Sequence, residues 1–146
     1  MTALTKTGQP ETGLCRGVVL VVEDDDDIRA LVARRLRRAG YAVQGVASGE
    51  EAAVALADGR QPFAALVIDI LLPGIDGWEV ARRARAVSAS LPIVVASILD
   101  QADLPLWLGN ATSITKPLGR GSIERALASV VGVEPAPEQV GEPGRT

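Results

Sequence analysis

What most restricts the fold of this chain is an alternation. Short runs rich in apolar and β-branched residues, VVLVV (18–22), YAVQGV (41–46), AALVI (64–68), PIVVA (92–96) and TSIT (112–115), recur along it, separated by stretches with a helical repeat. A run that is apolar at every position belongs to a strand buried on both faces, since a half-wet strand would alternate with polar residues. Between the runs, Ile28, Leu31, Val32, Leu36 and Ala39 mark one face of a helix that Gly40 ends. Ser48 and Glu51 stand at capping-box spacing and open a second helix to about Ala57. A third runs from Trp78 to Val87, with Val80, Ala84 and Val87 on one side. Ser122 is expected to cap a last helix whose Ile123, Leu127 and Val130 face inward. The remaining interval, ILDQADLPLWLG (98–109), is short and contains Pro105, so any helix there is brief or interrupted. Strands that alternate with helices pair in parallel, and the helices cover both faces of the sheet.

The rest of the chain bounds the function. A length of 146 residues fits one domain, and a hydrophobic content of 47% is ample for a core. Residues 1–16 are polar, and 133–146 (VEPAPEQVGEPGRT) are rich in Pro, Gly and Glu. Both are expected to be disordered tails around a folded domain over 17–132. No apolar run reaches transmembrane length, and the N-terminus lacks a signal-peptide core. Cys15 is the single cysteine, so there is no internal disulfide. These features predict a cytoplasmic protein without membrane insertion. A net charge of −3 argues against direct nucleic-acid binding by the surface as a whole. With no histidine, a Ser-His-Asp hydrolase, a His-ligated zinc site and a phosphohistidine carrier are excluded.

Parallel sheets bind ligands at the carboxyl ends of their strands. There the first strand ends in Glu23 and Asp24, the third in Asp69, the fourth in Ser97 and the fifth in Lys116. Four segments thus deliver polar or ionisable groups to one edge. Carboxylates after the first strand would repel a phosphate unless a cation intervenes. Three of them, without His or thiolate, suit a hard oxygen-seeking ion, Mg2+ foremost. Lys116 adds a positive charge and Ser97 a hydroxyl, which together make a clamp for a phosphoryl group in transfer. The natural nucleophile in such a set is a carboxylate.

The residues resemble the receiver domain of two-component response regulators over about 18–131. VLVVEDDDDIR resembles its acidic-pair segment, LVIDILLPGIDGWEV its phosphoacceptor segment, PIVVAS its fourth-strand segment and ITKP its Lys-Pro segment. The resemblance implies a flavodoxin-like, doubly wound (βα)5 sandwich with a five-stranded parallel sheet, here with a shortened fourth helix. It implies that Asp69 accepts a phosphoryl group from a phosphohistidine on a histidine kinase or histidine phosphotransfer protein. Asp24 would bind Mg2+ directly, Glu23 through water, and Leu71 by its backbone carbonyl. Lys116, in a peptide bond to Pro117 that the family makes cis, and Ser97 would hold the phosphoryl oxygens. The domain would be a switch rather than an enzyme, acting only on its own phosphorylation and hydrolysis. With no second domain in view, output is expected by protein contact or phosphorelay.

Two departures bear on that switch. Aligned on Lys116, Ser113 stands where the family usually carries an aromatic residue. The span from Ser97 to Gly109 is about one helical turn short, and its SILD start resembles the receivers of hybrid sensor kinases. Leu71 and Leu99, each two residues beyond a site residue, are apolar and would not orient an attacking water, so slow dephosphorylation is predicted. A haloacid-dehalogenase-like phosphatase would want an acid where Leu71 stands. The competing function is a pseudo-receiver, a constitutive interaction module. Asp26 and Asp27 are read as the acidic first turn of a helix, and Asp76 and Gly77 as shapers of the turn before the third helix. The arginines at 34, 35, 37, 38, 82, 83 and 85 are read as solvated helix faces, the first four with docking of an acidic partner as the alternative, and Trp107 as a core cap or an interface residue.

Overall fold

A computed structural model describes residues 15–59, 62–98 and 104–132. Five strands, β1 (Val18–Val22), β2 (Ala42–Val46), β3 (Ala65–Ile68), β4 (Ile93–Ser97) and β5 (Ala111–Thr115), alternate with α1 (Asp26–Arg38), α2 (Gly49–Asp58), α3 (Gly77–Val87) and α4 (Ser122–Val131). All pairings are parallel, in the order β2-β1-β3-β4-β5. This is the flavodoxin-like doubly wound arrangement that the sequence predicts. Among the described residues, the span between β4 and β5 holds one 3-10 turn, Leu106–Leu108. The described part of that interval thus holds a brief turn that begins after Pro105; Leu99 lies outside the described residues, as do 1–14 and 133–146 of the two expected tails. Arg16, assigned to the leader from sequence, donates its N–H to the Gly40 carbonyl and lies over the Tyr41 ring at 5.9 Å.

The two-residue period of a strand sorts the sheet into two cores. Leu20, Val22, Leu66, Ile68, Ile93 and Val95 meet Leu56, Val80, Ala84 and Leu108 on the α2–α3 side. Val19, Val21, Val67 and Val94 meet Val32, Leu36, Ile123 and Leu127 on the α1–α4 side. Three helices start where side-chain oxygens accept backbone N–H groups. Asp25 accepts from Ile28 at 3.0 Å, Ser48 from Glu51 at 3.1 Å and Asp76 from Glu79 at 2.9 Å. Glu51 closes its box on the N–H of Ala47, at 2.7 Å. The cap of α4 differs from expectation. Gly121 occupies it at φ +75°, and Ser122 is already helical, its hydroxyl donating to the Gly119 carbonyl at 2.9 Å.

The arginine faces also differ. Arg85 is only partly exposed: it donates to the carbonyls of Ser88 (3.2 Å), Leu91 (2.6 Å), Leu108 (2.5 Å) and Asn110 (3.0 Å). One guanidinium thus ties the end of α3 to the entries of β4 and β5. Burial lowers its pKa from the ordinary arginine value. Arg35 bonds the Gly119 carbonyl at 2.9 Å. Arg82 lies 4.8 Å over the ring of Trp107, which meets Trp78 edge-on at 6.1 Å. Trp107 therefore packs the 3-10 turn against α3 while staying 40% exposed, so both of its expected roles remain compatible with its place.

Candidate functional site

The sheet ladder continues one residue past three strand ends and thereby aims the polar side chains. The N–H of Glu23 donates to Val46, that of Asp69 to Val22 and that of Lys116 to Ser97, at 3.1, 3.1 and 2.8 Å. Glu23 and Asp69 are buried, at 4% and 7% exposure, as is Ser97 on the last position of β4; Asp24 is exposed. One oxygen each from Glu23, Asp24 and Asp69 lies within 4.8 Å of the others. The site residues come from the ends of β1, β3, β4 and β5, and the edge strand β2 lies beyond β1.

Lys116 organises the charges. Its Nζ bonds Glu23 Oε1 and, at 3.0 Å, Asp69 Oδ2. The other Asp69 oxygen accepts the Leu71 N–H at 3.0 Å, and the other Glu23 oxygen accepts the Asp25 N–H at 3.2 Å. Burial by itself depresses the lysine pKa, but the hydrogen bonds and charges of Glu23 and Asp69 outweigh it and hold the ammonium above its ordinary value. Burial pushes the Glu23 carboxyl up, with the Asp69 charge adding to the rise; the Lys116 bond and charge and the Asp25 N–H work against it. The Lys116–Pro117 peptide bond is cis, as the resemblance implied.

The loop after Asp69 needs a glycine at 77. A Cβ on Gly77 would lie 2.3 Å from the Asp69 carbonyl oxygen and 2.6 Å from the Ile70 Cα. Closeness of this kind lets the first turn of α3 sit on the backbone that carries Asp69, with the Gly77 N–H on the Ile70 carbonyl. Glu50, at the start of α2, accepts the Ile75 N–H at 3.2 Å and so ties down the same loop. The Leu71 side chain is exposed, and Ser113 pairs with Val95 in the middle of β5, short of the strand end.

Two charged residues at the site were not legible as such. Arg29 donates to the Glu23 carbonyl at 2.8 Å and to Asp26 Oδ1 at 2.6 Å. Its signal was only its spacing of three from Asp26, which any helix surface pair would share. Glu50 carries no sequence cue beyond the acidic first turn of α2.

The donor set fits a divalent cation. It offers three carboxylates at mutual reach, all hard oxygens, with no soft ligand. A magnesium ion would be held by Glu23, Asp24 and Asp69.

Residues 19–128 match the family model of the response regulator receiver domain. Transcriptional regulatory protein AfsQ1 of Streptomyces coelicolor is 34% identical over 116 residues, which cover 77% of this chain and 50% of AfsQ1. The chain thus spans about half the length of that relative. A response regulator receiver protein from Sinorhizobium medicae matches with a TM-score of 0.71 at 26% identity, over 80% of this chain and 94% of that one. The receiver domain of the sensor histidine kinase PA1611 from Pseudomonas aeruginosa has magnesium coordinated in its active-site cleft. It matches with a TM-score of 0.67 at 30% identity, over 80% of this chain and 98% of that one. With the sheet order, the acidic edge and a family match across both in agreement, the chain belongs to the response regulator receiver domain family.

Proposed function

We propose that this domain is a phosphoacceptor switch that takes a phosphoryl group onto Asp69 from a phosphohistidine of a histidine kinase or histidine phosphotransfer protein. It works in the cytoplasm with Mg2+ and passes its state on by protein contact. The observation that carries this is the Lys116 ammonium bonded to both Asp69 and Glu23 across three strand ends. A carboxylate held this way is oriented by donors from separate segments. The Leu71 N–H fixes one Asp69 oxygen and Lys116 the other.

In the transfer, an Asp69 oxygen forms a bond to phosphorus while the P–N bond of the donor breaks, the electron pair leaving with the imidazole nitrogen. Lys116 lies beside Asp69 and offsets charge on the phosphoryl oxygens. Ser97, buried at the end of β4, offers its hydroxyl from the adjoining strand. Glu23, Asp24, Asp69 and the Leu71 carbonyl would hold Mg2+, which would supply positive charge to offset that of the phosphoryl oxygens. Leu71 presents an exposed apolar side chain, which leaves no polar group there to orient water, so the aspartyl phosphate hydrolyses slowly. Hydrolysis within seconds in a phosphate-release assay would contradict this.

The test is a small-molecule phosphodonor with Mg2+, followed by intact-mass measurement. The expected result is a gain of one phosphoryl mass that disappears in Asp69→Asn. No gain, or an undiminished gain in Asp69→Asn, refutes the proposal. The pseudo-receiver reading has one observation in its favour. Ser113 puts a small polar side chain beside Val95, where the family's switch carries a ring. That reading requires that the phosphorylated and free forms bind a partner equally well.

A further inference from the structure

Arg29 lies next to the acidic site without facing any reacting group, and its place is built rather than incidental. Its stem crosses Gly45 of β2, where an added Cβ would come 3.4 Å from Arg29 Cδ. The side chain is 24% exposed, and its guanidinium spans the Glu23 carbonyl and the Asp26 carboxylate. The same turn is held from the other side. The Asp25 N–H donates to Glu23 Oε2, the Asp25 side chain caps α1, and the Arg29 N–H returns to the Asp25 carbonyl at 2.9 Å. Asp24 therefore stands between two residues fixed in both backbone and side chain, while its own carboxylate is exposed.

We propose that Arg29 is a positioning residue that sets the Glu23–Asp24 turn for cation binding. The proposal rests on the phosphoacceptor reading above, in which Asp24 and Glu23 hold Mg2+. A carboxylate on a turn loses affinity when the turn samples other conformations, and outer-shell changes of this kind typically weaken metal binding by about tenfold or more. A bystander Arg29 would do the reverse. As a positive charge beside a divalent site it opposes binding, so removing it would tighten binding. The two roles predict changes of opposite sign.

The experiment is Mg2+ titration by calorimetry on the wild type, Arg29→Met, Arg29→Lys and Asp24→Asn. Amide hydrogen exchange at Asp24 and Asp25, followed by NMR without metal, supplies a second readout. Positioning is supported if both Arg29 variants weaken Mg2+ binding by about tenfold and quicken exchange at those amides, because a lysine has no fork to span both acceptors. It is overturned if Arg29→Met binds more tightly while Arg29→Lys matches the wild type, or if exchange at the two amides is unchanged. If Asp24→Asn abolishes binding and the Arg29 variants do not weaken it, only this inference fails. If the wild type binds no Mg2+, the cation site itself fails and the inference with it.

Discussion

Replacing Arg85 by Met keeps the aliphatic stem and removes the guanidinium that serves four carbonyls. Three of the four bonds, to Ser88, Leu91 and Leu108, are partly buried, and the one to Asn110 is exposed. An exposed acceptor turns to water at little cost, whereas each partly buried one loses about 1 kcal/mol when its partner is removed. The sum is about 3 kcal/mol, and at about 4 °C per kcal/mol for a domain of this size the melting temperature falls by about 12 °C. Arg83→Met is the matched control, since among the described residues Arg83 pairs with Glu79 alone, on the surface, where both side chains are nearly half exposed. That change should cost less than about 0.5 kcal/mol. Urea unfolding followed by circular dichroism measures both. Arg85→Lys should recover only part of the loss, because an ammonium cannot span acceptors on three segments. If the Arg85 and Arg83 variants unfold within about 0.5 kcal/mol of each other, the strut does not stabilise the fold as described.

Three other outcomes are expected. Mg2+ at about a hundred times its dissociation constant should stabilise the wild type by about 2.7 kcal/mol in thermal melts, and Asp24→Asn should abolish the effect. Lys116 has its folded pKa raised above 10.5, so its stabilising contribution is full below the unfolded value and declines as pH rises through the folded one. As pH rises above the unfolded value, the wild type should lose stability relative to Lys116→Met in urea titrations; parallel curves would disprove the linkage. Gly77→Ala forces a methyl to 2.3 Å from the Asp69 carbonyl, so it should cost about 3 kcal/mol and slow phosphorylation of Asp69, both read on one sample by melting and mass measurement.

The sheet was legible because buried parallel strands announce themselves as unbroken apolar runs, as VVLVV and PIVVA do. The site was legible because a carboxylate, a hydroxyl or a lysine directly after such a run has only the strand's end to occupy. What escaped was chemistry directed at backbone. Arg85 sits in a row with Arg82 and Arg83 that reads as a wet helix face, and its acceptors are carbonyls that every residue carries. Arg29 was hidden for the same reason. The start of α4 misled because a glycine with positive φ caps it, while the serine beside it spends its hydroxyl on the preceding turn.

The ladders of β1, β3, β4 and β5 fix more than the sheet. Glu23, Asp69, Ser97 and Lys116 are separated by up to 93 positions and meet only when every pairing is in step. A slip of one residue between β4 and β5, which now align Ser97 with Thr115, would carry Lys116 along by about 3.3 Å. That displacement exceeds any hydrogen-bond tolerance. The site is therefore a proofreading mark on the fold: a copy of the chain paired out of register keeps every required residue and loses the contact that makes them act together.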